Sequence, residues 1–137
     1  MKKLTLILSL TILSFTSCST DDDTTNDQDM FVGTWNLSMG LLNGEDRDII
    51  NDCNSRSNFT INADGTFIET DYSTSDANTC ELDFADPGTW ENLGNNIYRL
   101  NYDADADGDT YTEDVIVNGN SFSVYYDDPY VYVYTKS

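Results

Sequence analysis

The amino-acid sequence predicts an all-β fold, a small antiparallel up-and-down β-barrel of eight strands. From residue 30 onward, apolar and polar residues alternate with a period of two, and Tyr, Val, Thr and Ile are abundant. Glycine and asparagine interrupt these runs at short intervals, as they do at hairpin turns. No window of this part of the sequence sustains the 3.6-residue apolar period of a helix. These three observations favour a meander of short strands.

The first four predicted strands lie before residue 91. One face of the first carries four apolar side chains, Trp35, Leu37, Met39 and Leu41. The second strand holds Phe59, and the turn over residues 63–65 separates it from the third, because Gly65 tolerates positive φ. The third strand covers residues 66–72, with Phe67 and Ile68 on opposite faces. The fourth begins at residues 88–90.

The last four predicted strands lie between residues 97 and 134. The fifth covers residues 97–102 and the sixth residues 111–117, and Asn118-Gly119 after the sixth is the strongest hairpin signal of the chain. One face of the seventh strand carries Phe122, Val124 and Tyr126, and one face of the eighth carries Tyr130, Tyr132 and Tyr134. Such a sheet hides its edges by closing on itself, and eight strands enclose an interior that side chains fill or that holds one small ligand.

Short motifs along residues 30–136 resemble a bacterial family of lipocalin-like lipoproteins. Gly33-Thr34-Trp35 resembles the Gly-x-Trp signature in the first strand of lipocalins. The further motifs that follow in the family's order are Asp52-Cys53, Phe59-Thr60-Ile61, Asp64-Gly65-Thr66-Phe67, Cys80 and Gly88-Thr89-Trp90. The resemblance implies a lipocalin-like barrel domain over residues 30–137, carried on a lipid anchor, that binds an apolar ligand.

Residues 1–17 have the pattern of a lipoprotein signal peptide. Lys2 and Lys3 precede an uncharged apolar run over residues 4–15, which is too short to span a bilayer as a helix. Residues 15–18 resemble the lipobox of bacterial lipoproteins, which implies that Cys18 is lipidated and becomes the first mature residue. The polar, acidic residues 18–29 then form a disordered tether. Residues 19–23 resemble an export signal, so we expect an outer-membrane lipoprotein exposed at the cell surface.

The composition excludes several classes of partner and chemistry. The sequence has 25 acidic and six basic residues, no His, and a formal net charge of −19. A surface this acidic repels phosphates and other copies of itself, so we expect no nucleic-acid partner and a monomer. The absence of His removes the commonest general base and the commonest metal ligand. We expect no enzymatic activity.

Cys53 and Cys80 are the thiols that remain once Cys18 carries a lipid. In an oxidising compartment two such thiols form a disulfide. A catalytic thiol would lack a His to deprotonate it, and two Cys without a His make a poor zinc site.

An acidic segment after the fifth strand has the spacing of a calcium loop. Carboxylates at alternate positions and Gly108 at the sixth position match the start of such a loop. The alternative is a solvated acidic hairpin loop. The predicted Ca²⁺ ligands are Asp103, Asp105, Asp107, Asp109 and Asp114, with Glu113 as another group that could close the site.

Two further features have alternative interpretations. Trp35, Trp90 and the tyrosines of the last strand either form a wall on which a ligand stacks or fill the barrel as core residues. Arg99 faces either inward, toward a carboxylate or a ligand anion, or outward.

The sequence therefore predicts a surface-anchored, non-catalytic barrel that binds a small apolar or amphiphilic ligand, or a partner, at its mouth. One alternative is a structural or adhesion domain with a filled barrel. Another is a hydrolase of glycans or lipids, which would need two carboxyl groups facing each other in a cleft.

Overall fold

The computed structural model describes residues 28–137, except residues 106 and 128 and the side chains of residues 126 and 127. The described chain forms one antiparallel sheet that is nearly closed into a barrel, which confirms the predicted fold class. No helix among the described residues is long and apolar enough to cross a membrane. A short 3₁₀ turn covers Asn54–Arg56, and the strands are β1 (Gly33–Leu42), β2 (Glu45–Arg47), β3 (Asn58–Ile61), β4 (Thr66–Thr74), β5 (Cys80–Gly94), β6 (Ile97–Tyr102), β7 (Thr112–Ile116), β8 (Ser121–Asp127) and β9 (Tyr130–Lys136).

The strands lie in the order β7-β6-β5-β4-β3-β1-β9-β8, and β2 pairs with β1 outside this path. Because β1 pairs with both β3 and β9, the two ends of the domain meet inside the sheet. The eight predicted strands are all present. The ninth, β2, has three exposed residues, so no apolar alternation indicates it.

β5 begins at Cys80, earlier than the predicted start at residue 88. Cys80, Leu82 and Phe84 alternate with acidic residues, a strand signal that the predicted start overlooks, and the backbone of residues 80–87 pairs with β4. Pro87 is tolerated inside β5 because its carbonyl faces the backbone N–H of Asp103, just past the end of β6. The missing N–H of Pro87 would point to the same side, past the end of β6, so Pro87 removes no hydrogen bond from the β4–β5 ladder.

The predicted apolar face of β1 is wrong beyond Leu37. The register with β9 shifts between Leu37 and Met39, so Ser38 is an extra residue. A bulge of this kind reverses which residues face inward. Met39 is consequently exposed, whereas Gly40 is buried and leaves room for the side chain of Ile49.

Aromatic side chains fill one half of the barrel interior, which we call the closed end. This end carries the turns over residues 62–65, 94–96 and 118–120. Phe31 precedes β1, is fully buried and stacks on Tyr98 with ring centroids 4.3 Å apart. Trp35 packs edge-on against Phe122 at 5.2 Å, and its indole N–H donates to the carbonyl of Phe31 at 2.8 Å. The N-terminal segment is therefore the plug of the closed end.

Asp29 ties this plug to the barrel wall. Its carboxylate accepts hydrogen bonds from the Tyr98 hydroxyl at 2.7 Å and from the Asn92 amide at 2.7 Å. Burial, and then the bond to Asp29, raise the pKa of Tyr98. The sequence predicts that Asp29 belongs to the tether, and the structure shows its side chain in contact with the barrel.

Candidate functional site

The opposite half of the interior, which we call the open end, holds a cavity of about 570 Å³. The loops β4–β5 and β6–β7 surround this end. Apolar side chains form part of the cavity wall, and they are Phe84, Pro87, Tyr111 and Tyr125. Glu69, Tyr102 and Glu113 also line it.

The cavity exists because two neighbouring strands separate. β5 pairs with β6 only from Gly88 onward, whereas residues 80–87 of β5 pair with β4 alone. Above Pro87 the chain of β6 turns away into the loop that leads to β7. The space between this loop and the first half of β5 is part of the cavity, and Phe84 and Asp86 line it from β5.

On three strands, the residues of the inward face change from apolar to polar toward the open end. On β4, Phe67 is followed two residues later by Glu69, and on β6, Leu100 is followed by Tyr102. On β7, Val115 is preceded by Glu113 at the same spacing. Because side chains two residues apart lie on one face of a strand, these three polar groups continue the core face into the cavity.

The two carboxyl groups of this site are deeply buried. Glu69 is 3% exposed and Glu113 is 9% exposed. The Tyr102 hydroxyl donates to Oε2 of Glu69 at 2.7 Å, and Oε1 of Glu113 accepts the backbone N–H of Tyr125 at 3.1 Å. A buried carboxylate needs such donors, because burial removes its hydration.

Burial also changes the acidity of the groups around the cavity. It raises the pKa of Glu113, an effect that the hydrogen bond from Tyr125 N–H opposes. Burial and the neighbouring charge of Glu69 raise the pKa of Tyr102, so this hydroxyl stays protonated and acts as a donor. The same two causes, burial and nearby carboxylates, raise the pKa of Tyr111.

Glu113 also spans the seam where the barrel fails to close. β7 and β8 are the two edges of the sheet, and in the part of the chain that the structure describes their backbones are joined only by an isolated bridge between Asn118 and Ser121. The predicted turn at Asn118-Gly119 is present, with Gly119 at a φ of +62°. The strands on either side separate, and the bond from Tyr125 to Glu113 crosses the gap.

The structure gives the calcium hypothesis no support. Oδ1 of Asp105 accepts the backbone N–H groups of Asp107 at 2.9 Å and Asp109 at 3.0 Å, as in a tight turn. Asp114 lies on β7 and binds Arg99 through Nε at 2.8 Å and Nη2 at 2.9 Å. Among the described residues, no three acidic or Cys side chains group around a point where a metal could bind. Calcium binding by Asp103, Asp105, Asp107, Asp109 and Asp114 therefore stays a prediction, and the carboxylate of Asp114 is bound by Arg99.

Arg99 takes the outward orientation, because its side chain and that of Asp114 are 41% and 44% exposed. The hydrogen bonds with Arg99 lower the pKa of Asp114. The aromatic residues divide between the two interpretations. Trp35 and Tyr134 are core residues, Tyr130 is exposed, and Tyr132 lines a smaller cavity of about 370 Å³ that shares Phe84 with the larger one.

The predicted disulfide between Cys53 and Cys80 is confirmed. It joins the segment before the 3₁₀ turn to the first residue of β5 and lies beside the open end. Cys18 lies outside the described residues, so its lipidation stays a prediction.

Sequence reasoning missed Glu69 and Tyr102 and named Glu113 only as a calcium ligand. The signal was present, because each lies two residues from a core residue on a strand with clear alternation. In a sequence with 25 acidic residues, however, two acids on a core face are not conspicuous.

Comparison with known proteins agrees with this geometry. No curated protein and no solved structure matches the chain. A family model described as a lipocalin-like domain matches residues 31–137, which include every strand of the barrel. The chain therefore belongs to the lipocalin-like domain family.

Proposed function

We propose that this protein is a lipid-anchored, non-catalytic binding protein that holds a small apolar or amphiphilic molecule at the open end of its barrel. The observation that carries the proposal is the division of the interior, which is packed at one end and open at the other. An adhesion domain with a filled barrel would have side chains packed at both ends of the interior, without a cavity at the open end.

The size and lining of the cavity support this function. Its volume of about 570 Å³ lies within the range of roughly 300–1,000 Å³ that is typical of small-molecule sites. Such sites combine apolar walls with a few polar groups that orient the ligand. Here Phe84, Pro87 and Tyr111 are the apolar part, and Glu69 and Glu113 are the polar groups.

The position of Asp29 bears on how the domain would sit on a membrane. Asp29 enters the barrel at the closed end, where it binds Tyr98 and Asn92. A tether that begins at a lipidated Cys18 would therefore reach the barrel at the end away from the cavity. We propose that the protein sits on the outer membrane, exposed at the cell surface, with the cavity accessible from outside. Cys18→Ser should then move the protein out of the membrane fraction, and persistent membrane association of that variant would contradict the anchor.

Hydrolysis of glycosides is a second candidate, and one observation favours it. Glu113 has a raised pKa and shares a cavity with a second buried carboxyl, Glu69. Paired carboxyl groups of this kind are the catalytic groups of most glycosidases. Incubation with 4-nitrophenyl glycosides decides the question. We expect no release of nitrophenol, and release that Glu113→Gln abolishes would establish the hydrolase instead.

Binding at the open end can be tested with a neutral fluorescent probe. N-phenyl-1-naphthylamine brightens in apolar sites, so titration of the protein with it should saturate at one probe per chain. Ala104→Trp places a large side chain in the lining of the cavity and should abolish the signal. Ala77→Trp is the matched control, because Ala77 is exposed in the β4–β5 loop and does not line the cavity. Equal binding by both variants, or no binding by the wild type, would overturn the proposal.

A further inference from the structure

The charge of the cavity narrows the class of ligand beyond the function just proposed. Six of the residues that line it are acidic, namely Glu69, Asp86, Asp103, Asp105, Asp109 and Glu113, and none of the lining residues is Lys or Arg. The two glutamates are deeply buried, and the four aspartates lie nearer the rim. A cavity lined by charges of one sign with low-dielectric walls concentrates its field, so this one attracts cations and repels anions.

The basic residues of the barrel lie away from the cavity. Arg47 pairs with Glu45, and Arg99 pairs with Asp114 on the outer surface. Lys136 lies at the closed end, where its Nζ donates to the carbonyl of Met30 at 2.6 Å and lies 5.2 Å from the centre of the Trp35 ring. Arg56 belongs to the exposed 3₁₀ turn, and it does not line the cavity.

The two buried carboxyl groups lie on either side of Tyr102 in the cavity wall. Tyr102 lies on β6 between the strands that carry them, and its hydroxyl reaches Glu69 on β4 across β5. Gly88 of β5, which pairs with Phe67 on one side and with Tyr102 on the other, has no side chain to obstruct this reach, and Glu69 itself pairs with Asp86. Glu113 on β7 pairs with Leu100, two residues before Tyr102 on β6. Both carboxyl groups therefore flank Tyr102 at the inner end of the cavity.

We propose that the cavity binds a cationic amphiphile, an alkyl or aryl amine whose ammonium group lies between Glu69 and Glu113 and whose apolar body lies against Phe84, Pro87 and Tyr111. This inference rests on the proposed function, because it assigns the ligand class of the same cavity. An ammonium group offers three N–H donors, and carboxylate oxygens are its strongest acceptors. Within the apolar walls such a pair is screened by salt much less than a pair at the surface.

Three probes of equal chain length separate the inference from the proposed function. Octan-1-ol, n-octylamine and octanoate are titrated into the wild-type protein by calorimetry at pH 7 in 150 mM NaCl. We expect n-octylamine to bind at least about tenfold tighter than octan-1-ol, which corresponds to about 1.4 kcal/mol, and octanoate to bind weakest. Equal affinity for the amine and the alcohol would overturn the inference and leave the proposed function standing. Binding of none of the three would overturn both.

Two variants locate the ammonium group. Glu69→Gln and Glu113→Gln should each lower the affinity for n-octylamine to about that of the same variant for octan-1-ol. Glu91→Gln is the matched control, since Glu91 is exposed on β5 and does not line the cavity. Amine binding that all three variants retain, or that 500 mM NaCl abolishes, would show attraction to the acidic surface and overturn the inference. The wild-type series keeps the test decisive should a Gln variant fail to fold.

Discussion

At the scale of single residues, Gly88 shapes the open end without contributing a side chain. The rings of Phe67 and Tyr102 meet across it, edge-on, with centroids 5.0 Å apart. A Cβ atom at position 88 would overlap the carbonyl oxygen of Asn101 and lie 2.5 Å from Cε1 of Phe67. Gly88 thus lets a tyrosine on β6 bind a glutamate on β4, two strands away.

Gly88→Ala should therefore lower the free energy of unfolding by about 1–3 kcal/mol, the usual cost of overpacking a core. Urea denaturation followed by tryptophan fluorescence measures the loss. The control is Gly44→Asn, because a Cβ at position 44 meets nothing within 4 Å and Asn tolerates the φ of +77° found there. A Gly88→Ala variant as stable as the wild type would mean that the rings of Phe67 and Tyr102 move apart at no cost.

The burial of Glu113 predicts that the stability of the folded protein depends on pH. Burial raises its pKa in the folded state above the ordinary value of 4.5, so the folded protein holds this proton to a higher pH than the unfolded chain does. As pH rises from about 4.5 through the raised pKa, the buried group must ionise and the wild type loses stability. Glu69, Tyr102 and Tyr111 line the same cavity as Glu113.

Glu113→Gln removes this loss, because the amide oxygen of Gln can still accept the N–H of Tyr125 and carries no charge. The melting temperature of the variant, relative to the wild type, should be about equal near pH 4 and should rise toward pH 7. Thermal unfolding monitored by circular dichroism at several pH values gives the difference, with Glu91→Gln as the control. A difference that stays constant with pH would contradict the raised pKa.

At the scale of elements, the disulfide fastens a loop to a strand that lacks a partner on one side. The first residues of β5 pair with β4 alone, and Cys80 joins the first of them to Cys53 before the 3₁₀ turn. The bridge closes a separation of 27 residues, for which the chain-entropy model gives a stabilisation of about 3.5 kcal/mol.

The double variant Cys53→Ser, Cys80→Ser should melt lower by more than about 10 °C, as expected for a loss of this size in a domain of about 100 residues. Reduction of the wild type with dithiothreitol should produce the same shift, which separates loss of the bridge from effects of the serine side chains. An unchanged melting temperature in both experiments would mean that the pairing of β4 with β5 alone holds the loop in place.

The strands also show what the sequence can and cannot predict. β6 is found over the predicted residues 97–102, because Tyr98 and Leu100 alternate cleanly with polar residues. β5 is longer than predicted because the predicted start at residue 88 overlooks the alternation of Cys80, Leu82 and Phe84 with acidic residues. The predicted apolar face of β1 is wrong beyond Leu37 because a bulge leaves no mark in the alternation. The predicted turn at Asn118-Gly119 is present. The gap between β7 and β8 beside it is crossed by the bond from Tyr125 to Glu113, a contact between residues twelve positions apart that local patterns do not indicate.

At the scale of the whole molecule, the barrel separates stability from binding. The aromatic cluster and the Asp29 contacts hold the closed end together, and the open end keeps buried carboxyl groups that a well-packed core would not contain. Part of this division follows from the sequence, because the core residues of β3, β4 and β6 are evident from alternation. The cavity does not follow from it, since it depends on where β5 and β6 separate.

The division of the interior is the central claim, and nuclear magnetic resonance tests it most directly. The ¹⁵N-labelled protein is titrated with octan-1-ol. The amide signals of Glu69, Tyr102, Glu113 and Tyr125 should shift together. The indole N–H signals of Trp35 and Trp90 should stay fixed, because these groups donate to the carbonyls of Phe31 and Asn62 at the closed end. Shifts of the two indole signals without shifts at the open end, or no shifts at all, would contradict a binding cavity in this half of the barrel.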